Sequence, residues 1–156
     1  MKKINAVFCI RDQKYADQIH EYLKPLNLDK ITITFISEGE INSNFKTIYI
    51  SDYIKEKIDN VVKLNKNIWK NENIYIADPD YVNKKKNINR EYQDRYINAC
   101  RDIFENNSFD VVFSGAAGRL IWTIPHLVAL EKKVLAYKLL PLDYLNPKFK
   151  GWRIWF

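Results

Sequence analysis

Short apolar runs alternate along this chain with segments whose apolar residues recur at helical spacing, a pattern that few folds accept. Ala6-Val7-Phe8-Cys9-Ile10 is a continuous apolar run bounded by charge, which predicts a strand covered on both faces. Ala16, Ile19 and Leu23 follow at helical spacing and predict a helix that stops near Pro25. Ile31 to Ile36 alternates with Thr and predicts a second strand, closed by the turn Glu38-Gly39-Glu40. Lys46 to Ile50 reads as a short strand. From Asp52 to Lys70, the residues Ile54, Ile58, Val61, Val62, Ile68 and Trp69 form an imperfect helical stripe. Ile74-Tyr75-Ile76-Ala77 predicts a strand ending at Asp78-Pro79-Asp80, and Lys84 to Lys86 a polar loop. Tyr92, Tyr96, Ala99, Cys100 and Ile103 mark an amphipathic helix up to Asn106-Asn107. Asp110 to Phe113 is a further strand, running into Ser114-Gly115-Ala116-Ala117-Gly118. Leu120 to Lys132 is helical in pattern, with Pro125 either kinking it or sitting in its first turn. Val134 to Leu140 is the last strong strand, and Pro141 begins an irregular aromatic tail.

Strand–helix alternation of this kind predicts an α/β domain, a parallel sheet with helices on both faces, in a three-layer sandwich of Rossmann-like or flavodoxin-like form. Right-handed crossovers put every strand-to-helix turn on one edge of the sheet, where ligands bind. The turns expected there are Arg11-Asp12-Gln13, Ser37 to Glu40, Asp78-Pro79-Asp80 and Ser114 to Arg119. The 156 residues suit one domain over 1–156.

Net charge is +6, from 25 basic and 19 acidic residues, a modest field that favours anionic partners without choosing among them. Two cysteines, Cys9 and Cys100, fit buried inert thiols better than a disulfide framework. Only five apolar or small residues separate Asn5 from Arg11, too few for a signal peptide, and no run approaches the roughly 20 apolar residues of a membrane span. A cytoplasmic location is the expectation.

The turn Ser114, Gly115, Ala116, Ala117, Gly118, Arg119 is the foremost substrate-binding candidate. Its small residues let a ligand approach the backbone, the following helix start suits an anion, and Arg119 adds a charge. Tight strand–helix packing explains the same small residues. The turn is not G-x-G-x-x-G, not a phosphate loop and not a nucleophile elbow, so no nucleotide cofactor is expected. Glu38 and Glu40 are candidates for a catalytic base or for binding sugar hydroxyls, the alternative being a solvated acidic turn. Asp78 and Asp80 read the same way. His126 lies near the expected ligand edge and is a third acid/base candidate, whereas His20 falls beside the apolar face of the first helix. Neither histidine has metal-ligand spacing, so no metal is expected. Lys84 to Lys86 could contact phosphate or be solvated. In the tail, Phe149-Lys150-Gly151-Trp152-Arg153-Ile154-Trp155-Phe156 interleaves aromatics with cations. That pattern suits base stacking, a peripheral membrane contact, docking on the domain's own core, or a partner such as a second copy of the chain. No specific nucleic-acid partner is expected.

From Tyr92 to Trp155 the chain resembles one region of bacterial capsular or surface polysaccharide biosynthesis proteins. The resemblance lies in the Tyr-rich helix, in Phe109-Asp110-Val111-Val112-Phe113-Ser114-Gly115-Ala116-Ala117-Gly118, in the apolar helix, in Val134 to Leu140 and in the Pro-containing segment after it. The region is similar to the end of the N-terminal, Rossmann-like half of GT-B type glycosyltransferases. The resemblance implies a two-domain enzyme whose N-terminal half binds the sugar acceptor and whose C-terminal half binds the nucleotide sugar. The chain has room for only the first half, with residues 141–156 leading toward a missing second domain. A stand-alone nucleotide- or phosphate-binding module and a non-enzymatic interaction domain are the other readings.

Overall fold

A computed structural model describes residues 3–56, 62–65, 67–69, 90–115, 119–141 and 152–155. They build a six-stranded sheet in the order β3-β2-β1-β4-β5-β6. Its strands are β1 Ile4–Ile10, β2 Ile31–Ser37, β3 Lys46–Tyr49, β4 Val111–Ser114, β5 Leu135–Pro141 and β6 Trp152–Trp155. The first five run parallel, and β6 pairs antiparallel with β5. The helices are α1 Gln13–Leu23, α2 Arg90–Asn106 and α3 Leu120–Glu131. This is the α/β sandwich the alternation predicts.

Strand alternation sorts the core into two layers. Val7, Cys9, Ile36 and Val112 point to the face covered by α2 and α3, where Ile97, Ile103, Ile121 and Val128 meet them. Ala6, Phe8, Ile10, Ile33 and Phe35 point to the opposite face, covered by Ala16, Ile19 and Leu23 of α1. Each of the larger α1 side chains contributes roughly 1.5–3 kcal/mol by leaving water. Helix α1 is capped by Asp12, whose carboxylate accepts a 3.0 Å bond from the Tyr15 amide, and it ends at Leu23, two residues before Pro25.

Three expectations change. The stripe from Asp52 to Lys70 is not an α-helix among its described residues. A 3-10 turn over Ile50–Tyr53 leads instead into irregular backbone. Tertiary contacts override the weak periodicity there. Val62, Leu64 and Ile68 pack on the α2–α3 core, and buried Trp69 donates its indole N–H to Glu131 at 2.6 Å. Arg101 grips the same carboxylate through Nε at 3.1 Å and Nη2 at 3.0 Å, and Nη2 also reaches the Lys63 carbonyl. Of the two alternatives for Pro125, the first-turn position falls, because it sits in the second turn of α3. The tail is not wholly irregular, because β5 extends through Pro141 and Trp152–Trp155 returns beside it, Trp155 opposite Lys138. The expected strand Ile74 to Ala77, Asp78-Pro79-Asp80, Lys84 to Lys86, and Ala116, Ala117 and Gly118 lie outside the described residues.

Candidate functional site at the carboxyl edge

Strand order reverses between β1 and β4. The chain winds outward from β1 through β2 to β3, then returns to lay β4 on the other side of β1. In such sheets ligands usually bind in the crevice outside the carboxyl ends of the strands, at a reversal of this kind. The predicted site residues fall at this edge in two groups, with the end of β1 between them.

The first group surrounds the ends of β2 and β3. A cleft of about 550 Å³ is lined there by Glu38, Glu40, Ile41, Asn42, Tyr49, Ser51 and Asp52. Its walls are tied down. The Glu38 amide donates to the Ile10 carbonyl at 3.3 Å, and the Ser37 hydroxyl to the Gly39 carbonyl at 2.7 Å. Gln13, in the first turn of α1, holds Asn42 from both sides, donating to its carbonyl at 3.1 Å and accepting from its amide at 2.7 Å. Tyr49 donates its hydroxyl to the Ile41 carbonyl. Tyr96, fully buried on α2, donates its hydroxyl to Glu38 Oε1 at 3.0 Å. Burial first, and the neighbouring Glu38 charge second, push the Tyr96 phenol well above its ordinary range, so it stays a proton donor. Glu38 is thereby anchored while Glu40 stands exposed.

The second group lies at the end of β4. Ser114 is fully buried, and its hydroxyl shares a 3.3 Å hydrogen bond with His126 Nδ1 on α3. Burial, with Lys138 as a lesser cause, lowers the His126 imidazole to about 4, so it is neutral at pH 7. Gly115 has a packing reason to be glycine. A Cβ there would stand 2.5 Å from Cδ2 of Trp122, whose indole also lies against the Tyr15 ring at 5.5 Å. Trp122 Nε1 is buried without a hydrogen-bond partner among the described residues. Arg119 caps α3 with extended backbone and is partly exposed.

Register defines a row across the sheet here. Phe8, Phe113 and Tyr137 are successive partners and stack on the α1 face, with centroids 4.8 and 5.8 Å apart. One residue further on, Cys9, Ser114 and Lys138 occupy the opposite face, Ser114 and Lys138 being direct partners. Burial pushes the Cys9 thiol up to about 12 and raises Cys100 well above its usual range, so both thiols are neutral packing groups. Lys138 is half-buried, and that burial lowers its ammonium.

Glu38 and Glu40 therefore share one cleft, Ser114 and His126 form one pair, and the structure keeps the pair apart from the cleft. His20 is held within packing, stacked on Phe45 at 4.8 Å and bonded through Nε2 to the Ser43 hydroxyl. Sequence reading missed Asn42, Tyr49, Ser51, Asp52, Tyr96 and Lys138. Lys138 carried a usable signal, a lone cation inside the apolar run Val134 to Leu140. Among the described residues no cluster of three or more His, Cys, Asp or Glu is placed to hold a metal, and no helix is long and apolar enough to cross a membrane. No protein-family model matches the chain, and a search of curated proteins found no match.

Proposed function

We propose that this chain is the acceptor-side domain of a GT-B type glycosyltransferase of bacterial surface polysaccharide synthesis. The observation that carries this reading is the cleft at the ends of β2 and β3. Its carboxylates, amide and hydroxyls are the groups that bind sugar hydroxyls, since each carboxylate accepts several hydrogen bonds and Asn42 both donates and accepts. Three carboxylates in a chain of net charge +6 also set this cleft against nucleotides and other polyanions.

Transfer requires a base that removes the acceptor hydroxyl proton as the oxygen attacks the anomeric carbon and the nucleoside diphosphate departs. Glu38 suits that role. The Tyr96 hydroxyl on its Oε1 orients the carboxylate at the cleft wall. Glu40 suits hydroxyl binding. His126, neutral but tied to Ser114 behind β4, suits a supporting role at the far side of the crevice. The nucleotide sugar falls to a second domain.

Titration of the ¹⁵N-labelled chain with neutral methyl glycosides and, separately, with uridine diphosphate tests the reading. Saturable shifts at Asn42 and Ser51 with a glycoside support it. Tighter binding of the diphosphate at those same amides would favour a nucleotide-binding module instead.

A further inference from the structure

In the row that carries Cys9 and Ser114, Lys138 is a charge with no counterpart among the described residues. Lys138 follows Ala136 in the alternation of β5, so it faces the α2–α3 layer beside Ser114. Among the described residues, no hydrogen bond or ion pair reaches its ammonium. The groups nearest it in register and charge are neutral at pH 7: the Ser114 hydroxyl, the His126 imidazole at about 4 and the Cys9 thiol at about 12. An ammonium that loses half its hydration without gaining a partner is a cost to the folded chain. That cost is placed level with the end of β4, beside the point where strand order reverses.

We propose that Lys138, beside Ser114 at the end of β4, is the binding group of a site for a phosphate-type oxyanion. The partly desolvated ammonium offers a bound phosphate a charge-assisted hydrogen bond stronger than one made in open water. The site rests on different residues from the acceptor cleft and stands whether or not the cleft binds sugar.

The test is titration of the ¹⁵N-labelled full chain with inorganic phosphate at pH 7, sodium chloride holding ionic strength constant. The Ser114 and Gly115 amides are expected to shift saturably in the native chain and in Lys138→Arg. In Lys138→Met the affinity is expected to fall about tenfold or more, with a melting temperature equal to or above that of the native chain, since an unpaired charge has been removed. No saturable shift in the native chain overturns the proposal. So does an unchanged curve in Lys138→Met, or a Lys138→Met chain that loses stability and still binds phosphate as before. If the Met variant does not fold, Lys138→Gln takes its place under the same criteria.

Discussion

Around the ends of β2 and β3 the ligand edge is an open cleft bearing Glu38, Glu40 and Asp52, its walls pinned by backbone bonds and by Gln13. Around the end of β4 the same edge is closed by side chains, with Trp122 filling the space over Gly115 and Ser114 buried beneath α3. Titratable groups differ accordingly. In the cleft a buried phenol serves an anchored carboxylate, whereas behind β4 burial has neutralised an imidazole and a thiol and Lys138 has no charge partner among the described residues. One sheet edge thus bears carboxylates on one side of β1 and a half-buried ammonium on the other. Net charge says nothing of this division, because it averages over both.

The closed side is the more sensitive to volume. Gly115→Ala drives a methyl into the Trp122 indole, and destabilisation of about 2–3 kcal/mol is expected in chemical denaturation, with amide shifts spreading to Tyr15. Unaltered stability would mean that the indole moves freely and that this side is open after all.

Acid should also act on the closed side. His126 titrates near 4 when folded against 6.5 ordinarily, so the unfolded chain binds the proton first. Its contribution is complete above pH 6.5 and is lost as pH falls from there toward about 4, amounting to about 2 kcal/mol after allowance for partial solvent screening. His126→Gln should flatten that part of the stability–pH curve relative to the native chain. Parallel curves would refute the buried neutral imidazole.

On the open side, Tyr96→Phe deletes one hydroxyl within an otherwise unchanged packing site. A loss of about 1–2 kcal/mol is expected, since the bond it removes ends on a charged group. Chemical-shift changes should centre on Glu38 and leave Ser114 unmoved. The smallest expected change lies away from both sides. Lys133 holds φ 59° at the end of α3, where the Val134 and Lys133 amides bond back to the Ala129 and Leu130 carbonyls. Lys133→Gly should raise stability by about 0.5–1 kcal/mol without altering either half of the edge.

Much of this was legible in the chain where local pattern and tertiary packing agree. The runs at Ala6–Ile10 and Ile33–Ile36 are buried from both sides, so their apolar continuity survives into the fold, and Val134–Leu140 keeps its strand although Leu135 is exposed. Alternation then put Glu38 and Ser114 on the ligand edge without any contact being known. The excursion near Trp69 was misread because its apolar residues answer to Glu131 and the α2–α3 core, contacts remote in sequence that periodicity cannot express. Edge strand β6 was missed for a similar reason, its pairing depending on β5 and not on its own composition. Helical spacing placed Tyr96 in the core correctly but could not show that its hydroxyl reaches Glu38. Lys138 was passed over because the face of a lone cation in an apolar strand is settled only by register with Ser114.

The most direct test of the cleft compares methyl glycosides that differ in charge, at matched ionic strength, by the shifts of the Asn42 and Ser51 amides. Neutral and amino-bearing glycosides should bind saturably there and a glucuronide should not, because Glu38, Glu40 and Asp52 repel its carboxylate. Equal or tighter binding of the glucuronide, or no saturable binding of any neutral glycoside, would contradict an acceptor site in this cleft.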